Sequence, residues 1–160
     1  MVARWPCSFS GESGVAMGFD GEAFVARFNE VWNGHDIEGI LAMMTDDVIF
    51  EASFGKDPWG ARAIGKPAVR EFLEDMFGRI PDVRWDEIRH FAHPDLAVVE
   101  WLTTGTARGS TRYEVQGCDV LALRDGKIAA NVPTGRASSR RCPWSAEGDR
   151  YIGRDDTISL

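Results

Sequence analysis

The stretch Gly117-Cys118-Asp119-Val120-Leu121-Ala122-Leu123-Arg124-Asp125-Gly126-Lys127-Ile128 decides how the chain is read. Val120, Leu121 and Leu123 have strand character. Asp125-Gly126 fits a two-residue hairpin turn, whose central positions both favour positive φ. Lys127-Ile128-Ala129-Ala130 then begins the return strand. Side chains alternate along a strand, so Asp119 shares a face with Leu121 and Leu123. A carboxylate on the apolar face of a hairpin is costly to bury, which marks Asp119 for explanation. The chain ahead of the hairpin reads as the material of a pocket built over that face.

Working outward, Phe24, Phe28, Val31 and Trp32 fall on one stripe of a helix over about Gly21 to Asn33. Asn33-Gly34 ends it. Asp36 is a good N-cap for a second, short helix carrying Ile37, Ile40, Leu41 and Met44, and His35 is expected to assist the capping. Val48 to Phe54 reads as a strand with Val48, Phe50, Ala52 and Phe54 on one face and Glu51 on the other, outward or interfacial. Gly55 to Gly65 reads as a loop. Pro67 suits the first turn of a third helix with Val69, Phe72, Leu73, Met76 and Phe77 as its stripe, closed by Gly78. After Pro81 the period changes to two. Strands are expected over Arg84 to Phe91, Leu96 to Thr104, Thr111 to Leu123 and onward to about Val132. Gly117 in mid-strand predicts a bulge or bend.

Segregated helices and a run of hairpin-linked strands make the fold class α+β: a cone-shaped, curved antiparallel sheet with three helices from the N-terminal half packed over it. The 160 residues bound a single domain with a proper core over residues 20–132. Residues 1–19 read as a loose leader, with Met17 as an alternative start, and 133–160 as a peripheral or disordered tail. The net charge of −7 argues against nucleic acid and anionic membrane as partners. No apolar run is long enough to cross a bilayer. The first residues lack a signal peptide's apolar core, and Cys7, Cys118 and Cys142 lack metal-type pairing, so a reduced, cytoplasmic protein is expected. There is no P-loop, dinucleotide glycine fingerprint or nucleophile elbow, and no cofactor is implied.

The runs Trp32-Asn33-Gly34-His35-Asp36, Thr45-Asp46-Asp47-Val48 and Gly65-Lys66-Pro67-Ala68-Val69-Arg70-Glu71-Phe72 resemble the SnoaL-like polyketide cyclases. They resemble the ketosteroid isomerases equally, both being of the nuclear transport factor 2-like superfold, a cystatin-like α+β barrel. Gly117-x-Asp119-Val120 with Arg124-Asp125-Gly126-Lys127-Ile128 matches the last hairpin of the same group. The resemblance spans roughly residues 20–130 and implies the fold more than the reaction, because the superfold hosts isomerases, cyclases, hydrolases, dehydratases and non-catalytic binders. Taken residue by residue, the isomerases' general-base Asp falls at Ala52 and their phenolic donor at Phe28. Their protonated oxyanion Asp falls at Asp119. Steroid isomerisation is therefore not expected. The last strand also departs from the group, since Asn131-Val132-Pro133-Thr134-Gly135 breaks it early.

Asp119 is the leading catalytic candidate. Desolvation raises a carboxyl pKa, and a carboxyl kept neutral near pH 7 can donate a hydrogen bond to a developing enolate. A bland alternative is a structural Asp bonded to backbone beside Gly117. His90, on the strand with Ile88, is the candidate partner that would shuttle a proton with Asp119; its alternative is a core or interface histidine. His90 and His93 have a superficially metal-like spacing but suggest no third ligand, so no metal site is expected. Six tryptophans in one small chain are enough to wall a cavity for a flat apolar ligand. Phe28, Phe50, Trp59, Phe72, Trp101 and Tyr113 are the candidate ligand-binding residues, with Trp59 a possible lid between Pro58 and Gly60.

Two readings follow. The first is a cofactor-free isomerase, cyclase or hydratase using acid–base chemistry on a small apolar carbonyl-bearing or polycyclic molecule. The second is a non-catalytic small-molecule binder or dimerisation module with the same cone. In either case outward apolar residues such as Val120 lead to a homodimer through the convex face.

Overall fold

A computed structural model describes residues 18–52, 60–106 and 112–134. The element order is α1 (Gly21–Asn33), α2 (Ile37–Ala42), β1 (Met44–Glu51), β2 (Arg62–Ile64), α3 (Gly65–Arg79), β3 (Arg84–His93), β4 (Leu96–Thr106), β5 (Arg112–Arg124) and β6 (Lys127–Thr134). Residues 1–17 of the expected leader, Trp59 and the tail beyond 134 lie outside the described residues.

Helix α1 starts where Asp20 accepts a hydrogen bond from the Ala23 N–H at 3.0 Å. It buries Phe24, Val25, Phe28, Val31 and Trp32 on the stripe that the sequence sets out. Asp36 caps α2 as expected, accepting from the Gly39 N–H at 2.9 Å. His35 takes another part. It sits in the left-handed region at φ 51°, its ring stacks on Phe77 at 4.3 Å, and its Nε2 meets the Val83 carbonyl at 2.9 Å. The ring therefore ties the α1–α2 junction to the end of α3 and the start of β3. Helix α2 ends at Ala42, so Met44 opens β1 instead of joining the helical stripe.

The six strands form one curved sheet in the order β2-β1-β6-β5-β4-β3, left open because β2 and β3 are edges. The run β3 to β6 is the expected antiparallel meander. Its last turn, Asp125-Gly126, has φ of 54° and 72°, as the two-residue hairpin requires. Two features depart from expectation. Strand β1 pairs with β6 in parallel, so the sheet is mixed. The expected loop over 55–65 contains the short strand β2, which pairs antiparallel with β1 through Glu51↔Arg62 and Ile49↔Ile64.

Gly117 also behaves otherwise than the pattern suggests. The β4–β5 register runs unbroken from Leu96↔Ala122 to Thr106↔Arg112, so that ladder has no bulge at Gly117. The glycine instead makes room. A Cβ there would come within 2.5 Å of the Trp101 indole. The register shift of this half of the sheet lies in β3, between Glu87 and Arg89. Trp85 and Glu87 on one side of it, and His90 and Ala92 on the other, all turn toward α1, while Ile88 is exposed. The core lies between the helices and the inner face of the sheet, with Val25, Ile40, Leu73, Val99, Leu121 and Ile128 almost wholly buried.

Candidate functional site

At one end of the core the inner face opens into a hollow of about 110 Å³. Its sheet wall comes from β4, β5 and β6, which present Trp101, Thr103, Tyr113, Asp119, Asn131 and Pro133. Its helical wall comes from Phe28 and Trp32 of α1 and Phe72 and Met76 of α3. The aromatic rings form a continuous surface. Trp32 packs on Phe28 with centroids 5.7 Å apart and lies nearly parallel to Phe50 at 6.0 Å. Phe50 in turn packs on Phe72 at 5.0 Å. Such rings give a broad apolar lining and fix one another's orientation.

Asp119 is buried in this wall, in register between Val99 of β4 and Pro133 of β6. Its Oδ2 accepts a hydrogen bond from the Trp101 indole N–H at 3.0 Å. Burial pushes the carboxyl up to about 7, against an opposing pull from the Trp101 bond. Near neutral pH the group therefore exists in both forms. The protonated form can give a hydrogen bond to a ligand oxygen, and the ionised form can take a proton from a ligand carbon or oxygen.

Of the residues singled out from sequence, Asp119, Phe28, Phe50, Phe72, Trp101 and Tyr113 are brought together around the hollow. His90 is not. Its ring faces α1, with Nδ1 at 2.6 Å from Glu87 Oε1 and Nε2 at 3.2 Å from Glu22 Oε1. The Glu87 hydrogen bond, assisted by Glu22, holds the imidazole above its ordinary pKa. Val99 stands between His90 and Asp119 in the sheet register, so the structure does not pair them. The β3 bulge is the reason that face parity could not place this ring. Among the described residues, no cluster of three or more His, Cys, Asp or Glu side chains is arranged to hold a metal ion.

Trp32, Trp85, Glu51 and Asn131 are among the lining residues that went unremarked as pocket residues in the sequence. Trp32 and Trp85 hide in ordinary core patterns. Glu51, expected to be outward or interfacial, is buried and ion-paired with Arg62, whose Nε lies 2.9 Å from Glu51 Oε1. The pairing needs β2, which no alternation reveals. Asn131 lies on the last strand, which continues to Thr134 past the expected break near Val132. Its presence as a polar residue among apolar ones was the available signal.

The SnoaL-like domain family matches residues 25–131. The chain belongs to the SnoaL-like family. Solved structures of the same fold include a protein from Catenulispora acidiphila with a ketosteroid isomerase-like fold, in complex with trimethylamine. It is 16% identical with a TM-score of 0.64, over 75% of this chain and 90% of that one. A candidate polyketide cyclase from Pseudomonas putida is 21% identical with a TM-score of 0.62, over 72% and 91% of the two chains. TerC, co-crystallised with polyporic acid, is 20% identical with a TM-score of 0.60, over 71% and 89%. At these identities the likeness shows the fold alone. No curated protein matches the chain. No helix among the described residues is long and apolar enough to cross a membrane.

Proposed function

We propose that the hollow binds a small, largely apolar, carbonyl-bearing molecule and that Asp119 acts on it by acid–base chemistry of the isomerase, cyclase or hydratase type. The observation that carries this reading is a carboxyl poised at about 7, buried in an aromatic-walled hollow and oriented by the Trp101 N–H. In its protonated form Asp119 donates to the ligand's carbonyl oxygen and stabilises the negative charge that develops when a proton leaves the adjacent carbon. Glu51, on β1 beside the same hollow and paired with Arg62, is the proposed acceptor of that proton. Small molecules crystallised with two proteins of this fold, trimethylamine and polyporic acid, are in keeping with a small-molecule site here.

The test is exchange of α-protons with heavy water, followed by NMR on single-ring ketones such as cyclohexanone and acetophenone. The expected result is exchange faster than in buffer, abolished in Asp119→Asn. A second reading, a non-catalytic binder, draws on Ala52 and Phe28, where the ketosteroid isomerases carry catalytic groups. Binding of the ketones without exchange would favour it.

The proposal extends to assembly. On the convex face Phe91, Val98, Val120 and Val132 are in register across four adjacent strands. Phe91 is 60% exposed, and the other three are half-buried. An apolar row of this kind on an open sheet face suits pairing with a second copy of the chain.

A further inference from the structure

Asn131 is the most deeply buried polar side chain in the hollow, only 2% exposed. Its Oδ1 has no hydrogen-bond partner among the described residues. It sits on β6 between Phe50 of β1 and Leu121 of β5 in the register, two residues from the Pro133 that faces Asp119. Thr103 Oγ1 and Trp32 Nε1, on the same lining, are likewise buried without a partner. A buried acceptor left unpaired carries the desolvation cost of that group, and native interiors seldom tolerate it without a reason. Here the reason is adjacent: a hollow into which a ligand can bring the missing donor.

We propose that Asn131 is a specificity-determining residue whose Oδ1 accepts a hydrogen bond from a hydroxyl of the ligand, making hydroxylated ring ketones the preferred class over their unsubstituted counterparts. This rests on the reading of the hollow as a site for small carbonyl compounds. Asp119 takes the carbonyl oxygen and Asn131 the hydroxyl. Diagonal positions on neighbouring antiparallel strands stand about 7–8 Å apart, a span that one substituted ring bridges. A site built to pair a ligand hydroxyl discriminates sharply against the analogue without one, because its own polar atom then stays buried and unpaired. An apolar residue at 131 would leave the hollow greasy at that end and indifferent to the hydroxyl.

The experiment is isothermal titration of the full chain with 4-hydroxyacetophenone and with 4-fluoroacetophenone, which is close in size and has no donor. The unaltered protein should bind the hydroxyl compound at least tenfold more tightly. Asn131→Leu should bring the two within twofold while its melting temperature holds or rises, since it removes an unpaired buried acceptor. Asn131→Asp, which keeps an acceptor at the position, should retain the preference. Equal binding of the two probes by the unaltered protein, or an undiminished preference in Asn131→Leu, overturns the inference and leaves the hollow's role as a ketone site standing. A fall in the melting temperature of Asn131→Leu with the preference intact assigns Asn131 a structural role instead. Binding of neither probe overturns this inference together with the reading beneath it.

Discussion

The Trp101 indole N–H donates to Asp119 Oδ2 at 3.0 Å, and Gly117, facing Trp101 across the β4–β5 ladder, leaves the space in which the indole lies. One glycine thus sets the ring, and the ring sets the carboxyl. The Trp101 bond works against the upward push of burial on Asp119. Trp101→Phe removes that bond and keeps most of the apolar bulk. It should move the Asp119 pKa above 7 in a carbon-13 NMR titration of the carboxyl, and an unmoved titration would show that the bond does not govern the acid.

Asp119 should also leave a mark on stability. Its folded pKa of about 7 lies above the ordinary 3.8. Between those values the unfolded chain gives up the proton while the folded chain keeps it. The group's contribution is therefore most favourable at acid pH and declines as pH rises through that window, at on the order of 1.4 kcal/mol per pH unit, levelling off above 7. Asp119→Asn cannot ionise and can still accept from Trp101. Relative to the unaltered protein it should gain stability from pH 4 to pH 7 in urea unfolding, and parallel profiles would place Asp119 in a solvated setting.

Gly117→Ala tests the space under the indole. Its Cβ would lie 2.5 Å from Trp101 Cη2, so the ring must move, and with it the partner of Asp119. Overpacking of this kind costs about 1–3 kcal/mol. The variant should melt lower and show altered Trp fluorescence. A neutral effect would mean that the indole has room to yield.

The convex row predicts assembly. Light scattering should return twice the chain mass, and Val120→Lys, placing a charge in the middle of the row, should return the mass of one folded chain. A single-chain mass for the unaltered protein rules the pairing out.

Much of this architecture is legible in the sequence because it rests on local rules. Asp36 is a side-chain cap, the α1 stripe is a helical period, and Asp125-Gly126 is a turn with one good geometry. Asp119 stands out for a similar reason, as a carboxyl on an apolar face. What stays hidden depends on pairing at a distance. Glu51 looks outward or interfacial until the three residues of β2 bring Arg62 beside it. His90 looks like a partner for Asp119 until the shift after Glu87 and the intervening Val99 are known. His35 carries no sign of its stack on Phe77, because that contact joins a helix junction to a helix more than one element away. The SnoaL-like resemblance supplies the frame in which such pairings occur, but not the particular side chains that make them.

The parallel junction of β1 with β6 has a consequence for how the protein is made. Met44 finds its neighbour at Ile128, and Phe50 finds Asn131, so β1 leaves the ribosome well before the strand that satisfies this edge. Contacts so far apart in sequence are slow to form because the intervening chain must first be brought to order. The hollow around Asp119 is therefore closed by β6, the last of the described strands, and a polypeptide stopped short of β6 would lack the wall that carries Asn131 and Pro133.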